Sequence, residues 1–215
     1  MGRKGTGAVF FYHNTFYLPD PENICVSSSK HKTFGIGNSG GGVPSANVVF
    51  KNNILHVLTY TLELPSPPYP VLDYNIHWKE EGNTILIYDT SYTSFSDFQT
   101  EKGQESHGIY GRPTYQNEAG KDFKLGSGSI GVDAGAILVG FNDSNSAWGY
   151  QGNCPDIGAF ESNFSDSSVT TCVAAAVSAS PSPGLSPTPT PSPSPSTSRP
   201  TPVPTSSPVQ GGLKI

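Results

Sequence analysis

Three short passages share one grammar: an apolar strand, a junction holding asparagine, then a second apolar strand. Ala8-Val-Phe-Phe-Tyr12 runs through His13-Asn14 into Thr15-Phe-Tyr-Leu18. Asn47-Val-Val-Phe50 runs through Lys51-Asn52-Asn53 into Ile54-Leu-His-Val-Leu58, and Pro70-Val-Leu72 runs through Asp73-Tyr74-Asn75 into Ile76-His-Trp78. The second and third copies stand about twenty residues apart, a period expected of stacked repeats. A glycine-rich insertion, Gly35-Ile-Gly-Asn-Ser-Gly-Gly-Gly42, lengthens the interval between the first two. Asparagine suits such junctions for two reasons. It tolerates left-handed backbone better than any residue except glycine, and stacked Asn side chains can form hydrogen-bonded ladders. Asn-rich turns serve equally well in an antiparallel sandwich built from hairpins. Spacing alone leaves both architectures open.

Elsewhere the vocabulary is that of β-structure and turns, rich in Gly, Ser, Asn, Thr and Tyr. Ile85-Leu-Ile-Tyr88 reads as a short buried strand. Ser91 to Gly103 is the one helical candidate, with Ser94 or Ser96 as N-cap, Phe95 and Phe98 on one face, and Gly103 as the stop.

From Ser178 to Pro208 every second or third residue is proline, and Ser and Thr fill most gaps. Such a segment lacks the apolar surface to offset its ordering entropy. It is expected to be an extended, semi-rigid spacer. The expected organisation is a folded region over 1–165, an exit segment over 166–177, a linker over 178–209, and the start of a further module at 210–215. Both ends read as cut from a larger modular protein. Met1 leads almost at once into strand-like sequence, and Gly211-Gly-Leu-Lys-Ile215 resembles the opening strand of a cellulose-binding module.

The net charge of −5 and pI near 5.4 argue against nucleic acid as a partner. No apolar run approaches the ~20 residues of a membrane-spanning helix. Gly2-Arg-Lys-Gly5 is basic, but no signal-peptide core follows it. Of the three cysteines, Cys25, Cys154 and Cys172, all are free thiols in one reading. In the other, Cys154 pairs with Cys172 across a short loop and leaves Cys25 over.

Near the C-terminal end of the folded region the motifs sharpen. Gly120-Lys-Asp-Phe-Lys-Leu125 is followed by Gly128-Ser-Ile-Gly-Val-Asp-Ala-Gly135 and Cys154-Pro-Asp-Ile-Gly-Ala-Phe-Glu161. Together these blocks resemble the ending of bacterial right-handed parallel β-helix proteins of the pectate-lyase-like superfamily. The resemblance covers roughly residues 8–164. It departs at Ser127-Gly-Ser-Ile-Gly131 and at Gly111-Arg-Pro-Thr-Tyr115, both structural connections. It implies an all-β fold: the C-terminal region of a right-handed parallel β-helix with an irregular cap. Leu125, Ile130, Val132, Ile137, Ile157 and Phe160 would plug that cap. It also implies a secreted or cell-surface parent, a polysaccharide lyase or glycoside hydrolase acting on plant cell-wall polysaccharide. Such a parent is expected to be a monomer whose partner is a polysaccharide or cell-wall glycan. In such enzymes the site lies on an outer face of the central coils, which here would mostly precede Met1. The competing class is a non-catalytic surface or adhesion protein.

No catalytic set stands out among the seventeen carboxylates, so the catalytic residues stay unassigned. Asp133 and Asp156 lie beside Gly or Pro, where a carboxylate caps turn N–H groups, and Glu161 reads the same way. Asp143-Ser-Asn145 offers oxygen ligands but lacks the rest of a calcium loop. Calcium is therefore conceivable in the parent and unsupported here. His13, His31, His56, His77 and His107 show no metal spacing, and neither a nucleophile elbow nor a phosphate loop occurs. Aromatic side chains are plentiful, among them Tyr12, Tyr17, Tyr74, Trp78 and Trp148. Those facing outward could stack on sugar rings, and the rest would be packing.

Overall fold

The computed structural model describes residues 8–19, 48–64, 67 and 69–175. Cys25, His31, the Gly35–Gly42 insertion, the Pro/Ser/Thr segment and residues 210–215 lie outside them. The described residues form fourteen short strands and one helix. In order, the strands are β1 (Val9–Tyr12), β2 (Thr15–Leu18), β3 (Val48–Lys51), β4 (Ile54–Val57), β5 (Glu63–Leu64), β6 (Val71–Asp73), β7 (Ile76–Lys79), β8 (Leu86–Tyr88) and β9 (Thr90–Tyr92). Then come α1 (Phe95–Lys102), β10 (Ile109–Tyr110), β11 (Tyr115–Asn117), β12 (Asp122–Leu125), β13 (Ile137–Leu138) and β14 (Ala174–Ala175).

The three junction-centred passages stack in parallel, which rules out hairpins between them. The strand before each junction joins one sheet, β1-β3-β6, and the strand after it joins another, β2-β4-β7-β10. Register follows the sequence repeat: Phe11, Phe50 and Leu72 are partners across the first sheet, and Thr15, Ile54 and Ile76 across the second. Phe11 stacks on Phe50 with centroids 4.5 Å apart. Phe50 and Leu72 continue into a core with Leu62, Leu64, Leu86 and Phe98. Full burial of side chains this size contributes about 2–3 kcal/mol each. A smaller sheet, β5-β8-β9, is parallel on one side of β8 and antiparallel on the other.

The left-handed residue at each junction is His13, Asn52 or Tyr74, with φ of 52°, 57° and 58°. Asn therefore fills that position only once. The following residue, Asn14, Asn53 or Asn75, instead builds the ladder. Asn14 donates to Asn53 Oδ1 from both its backbone N–H (3.0 Å) and its amide (2.9 Å). Asn53 does the same to Asn75 Oδ1 at 3.0 and 2.8 Å. Asn75 donates to Glu105 at 3.2 and 2.7 Å. Asn53, Asn75 and Glu105 are buried, so each bond satisfies a group that water cannot reach.

Helix α1 starts where its cap dictates. Ser94 Oγ accepts from Asp97 N–H at 3.3 Å, and Gly103 (φ 60°) donates to Gln99 O at 3.0 Å. Its buried face, Phe95 and Phe98, closes the core beside Tyr88 and Tyr92. Among the described residues no helix is long and apolar enough to cross a membrane.

The C-terminal blocks do not sit as an end plug. Leu125, Val132 and Ile157 share one buried cluster with Ile54 and Ile76, side chains of neighbouring strands. They therefore lie along the flank of the second sheet. Ile130 and Phe160, expected as plugs, are 38% and 47% exposed. The two motif blocks zip together through Gly135 N–H to Pro155 O (2.7 Å) and Ile157 N–H to Gly131 O (2.9 Å). A Cβ at Gly135 would meet Pro155 O at 2.8 Å, which explains the glycine. Packed chain continues past Ser165. Cys154 and Cys172 form a disulfide, Cα–Cα 5.4 Å, and β14 pairs in parallel with β13.

Candidate functional site

The carboxylates of the motif blocks bind backbone. Asp133 accepts from Asn153, Cys154 and Asp166 N–H at 2.8, 2.8 and 2.6 Å. Asp156 accepts from Asp133 and Ser162 N–H at 2.8 and 2.7 Å. Asp143 closes its own turn, accepting from Asn145 and Gly140 N–H. Among the described residues no group of three His, Cys, Asp or Glu is placed to hold a metal ion.

Three clusters remain. On the flank of the second sheet, Arg112 donates to both oxygens of Glu118 at 2.8 and 3.0 Å and to Glu80 at 3.3 Å. Tyr17 donates to Glu118 at 2.8 Å. Buried His56 lies 2.8 Å from Glu80 through Nε2 and 3.2 Å from the Tyr115 hydroxyl through Nδ1. Burial holds His56 below its usual pKa, so its link to Glu80 is a hydrogen bond from neutral imidazole. Burial and Glu118 push Tyr17 up to about 12. Both carboxylates share one guanidinium, an arrangement that clamps β7 to the chain around β11.

The second cluster contains Ser106, His107 and Asp73, the residue types of a nucleophilic triad. The geometry denies it. Ser106 Oγ and Asp73 both approach His107 Nδ1, at 3.2 and 3.0 Å. A triad needs the nucleophile and the orienting acid on opposite nitrogens of the histidine ring.

The third cluster is a pocket of about 280 Å3. It gathers Tyr12 and His13 from the first junction, Phe141, Asn142 and Trp148 from the loop after β13, and Glu161 from the last motif block. His13 anchors it. Nδ1 meets Gly158 O at 3.2 Å, and Nε2 meets the amide nitrogens of Asn52 and Asn142 at 2.9 and 2.8 Å. Amides donate, so the ring is neutral with its proton on Nδ1. Burial lowers its pKa to about 4, against the pull of the Gly158 carbonyl. Phe141 stacks on this ring, with centroids 5.9 Å apart and planes 12° apart, and Tyr12 meets Phe141 edge-on. Trp148 is 73% exposed. Glu161 accepts weakly from Asp156 and Gln151 N–H at 3.2 to 3.4 Å. Burial, and then the nearby Asp156 charge, raise its pKa to about 8. It is thus a neutral carboxylic acid at pH 7. A further depression of about 330 Å3, between Tyr60 and Ser91, is lined by one carboxylate, Glu63.

Comparison with known proteins gave nothing to set beside this geometry. No family model, curated protein or solved structure matches the chain.

Of the residues weighed in the sequence, His13, Tyr12, Trp148 and Glu161 come together, while His56, His77 and His107 lie in separate hydrogen-bonded settings. Phe141 and Arg112 carried no sequence signal for a site. The Pro155-to-Glu161 block marked Glu161 as a turn residue. Its burial beside Tyr12 follows only from the fold.

Proposed function

We propose that this chain is the closing part of a right-handed parallel β-helix in a secreted, modular protein that acts on plant cell-wall polysaccharide. The reading is of the pectate-lyase-like type, with a polysaccharide lyase or glycoside hydrolase as the parent activity. The carrying observation is the in-register stack of three strand-junction-strand passes, bound through Asn14, Asn53 and Asn75 to Glu105. Right-handedness is the overwhelming preference for parallel strands joined by crossovers. The Cys154–Cys172 bridge supports an oxidising, extracellular setting. The Pro/Ser/Thr segment supports a tether that raises the effective concentration of a linked binding module at an insoluble polymer.

The part played by these residues is to hold polymer. Bond cleavage needs two carboxylates, or a base and a neutralising cation, free to face one sugar linkage. Glu80 and Glu118 instead share Arg112, and Asp133 and Asp156 are consumed by backbone. The full chain, incubated with pectin, xylan and cellulose, is expected to be retained on at least one of them. No new reducing ends and no unsaturated products should appear. Turnover abolished by Glu80→Gln or Glu161→Gln would place catalysis inside this chain. Failure to be retained on any of the three would reject the polysaccharide reading in favour of a surface or adhesion protein.

A further inference from the structure

The pocket between the first junction and the last motif block presents groups beyond those that pack its walls. Among the described residues Trp148 is the most exposed large hydrophobic, and its ring stacks on no other. The Tyr12 hydroxyl makes no hydrogen bond among the described residues, so it is available to a ligand. Beside them stands Glu161, a carboxyl group that accepts only long bonds from two N–H groups. The volume, about 280 Å3, lies just under the roughly 300–1,000 Å3 of sites for drug-sized molecules. It therefore suits one or two small rings.

The chemistry of the lining selects among small ligands. No Lys or Arg is among the described residues that line the pocket, and His13 has both ring nitrogens occupied, so an anion finds no counter-charge. An organic cation would need several aromatic faces around one point. Phe141 has one face covered by His13 and takes Tyr12 edge-on. What remains is a single flat platform, Trp148, flanked by hydroxyl and carboxyl groups. That pairing of one apolar face with lateral hydrogen-bonding groups matches a neutral pyranose, whose ring has an apolar face and equatorial hydroxyls.

We propose that this pocket is a non-catalytic subsite for one pyranose ring of an uncharged polysaccharide, with Trp148 stacking on the ring and Glu161 and Tyr12 hydrogen-bonding its hydroxyls. The proposal rests on the reading of the chain as a polysaccharide-acting protein and adds the sugar class and the place where it binds. Seating a ring over Glu161 removes water from it and favours its neutral form. Binding therefore weakens as Glu161 loses its proton.

The test uses the full chain and tryptophan fluorescence, since Trp148 and Trp78 are the only two indoles. Xylohexaose and cellohexaose are the neutral probes, with oligogalacturonate and choline as charged controls. At least one neutral probe is expected to quench the emission. Trp148→Ala, titrated by calorimetry because it lacks the reporting indole, should weaken binding at least tenfold with an unchanged melting midpoint, because its side chain is exposed. Wild-type affinity should fall between pH 7 and 9, whereas Glu161→Gln, which stays neutral, should show no such fall. Several results would overturn the subsite: binding of oligogalacturonate or choline in place of the neutral probes, neutral binding unaffected by Trp148→Ala, or the same pH profile in wild type and Glu161→Gln. If the chain is retained on polymer while these variants change nothing, the subsite falls and the broader reading stands. No retention and no quenching would bring down both.

Discussion

Asn53 is the residue on which the strand stack turns. Its amide donates to Phe11 O, Lys51 O and Asn75 Oδ1 at 2.9, 3.0 and 2.8 Å, while its oxygen accepts twice from Asn14. Asn53→Ala would strand several buried polar groups at once, each costing about 1–3 kcal/mol. The expected loss is about 3 kcal/mol or more in urea unfolding. A loss under about 1 kcal/mol would mean that water replaces the ladder. The ladder itself was legible in the sequence, because three junctions repeat the same residue type. Its division of labour was not. Whether the left-handed position falls on the ladder Asn or on its predecessor is decided by which amide can reach the next strand, and composition is silent on that. The pocket was still less legible. Tyr12 and Glu161 come from opposite ends of the folded region, and nothing local to Glu161 foretells its burial.

At the level of elements, legibility tracks the range of the interactions. Helix α1 ends where Ser94 and Gly103 place it, since caps act within one turn. The flank position of residues 125–157 depends on contacts between segments far apart in the chain. Asn52, for instance, receives Ala136 N–H on its side chain at 2.9 Å and Gly158 N–H on its carbonyl, also at 2.9 Å. The same holds for the disulfide, whose partners the sequence left open. Strand β14 has two residues and among the described residues pairs only with β13, so the bridge at Cys172 should govern whether it stays docked. The Cys154→Ser, Cys172→Ser double variant is expected to lose about 3 kcal/mol in the chain-entropy account of a loop this long. Amide exchange at Ile137 and Leu138 should speed up while that at Ile54 and Ile76 stays slow. Uniform acceleration would show instead that the bridge stabilises the whole fold.

For the whole molecule, two groups at one pocket bend the stability curve in opposite senses. His13 has its pKa lowered from 6.5 to about 4 on folding. Its contribution is complete above pH 6.5 and is lost as pH falls through 4. Glu161 has its pKa raised from 4.5 to about 8. Its contribution is complete below pH 4.5 and is lost as pH rises through 8. Solvent screening reduces the Glu161 effect to the order of 1–3 kcal/mol. Urea unfolding of wild type and Glu161→Gln at pH 5, 7 and 9 should therefore show a gap that widens with pH in favour of the variant. Parallel curves would place Glu161 in water rather than in the pocket wall.

The asparagine ladder also has a direction. Each ladder amide donates one bond to the side chain of the next rung, while Asn53 and Asn75 also donate back to Phe11 O and Phe50 O, and the last acceptor is a carboxyl side chain that takes both Asn75 N–H and Asn75 Nδ2 and faces His77 Nε2 at 3.0 Å. A carboxylate has nothing to hand onward. Glu105 thus works as a full stop written in one side chain. Beyond it the chain turns into the short strand β10, and no further passage repeats the pattern among the described residues. Asn14, at the other end, keeps an oxygen that no described residue engages. Among the described residues the ladder thus runs from an amide, Asn14, to a carboxyl group, Glu105, and its two ends are chemically unlike.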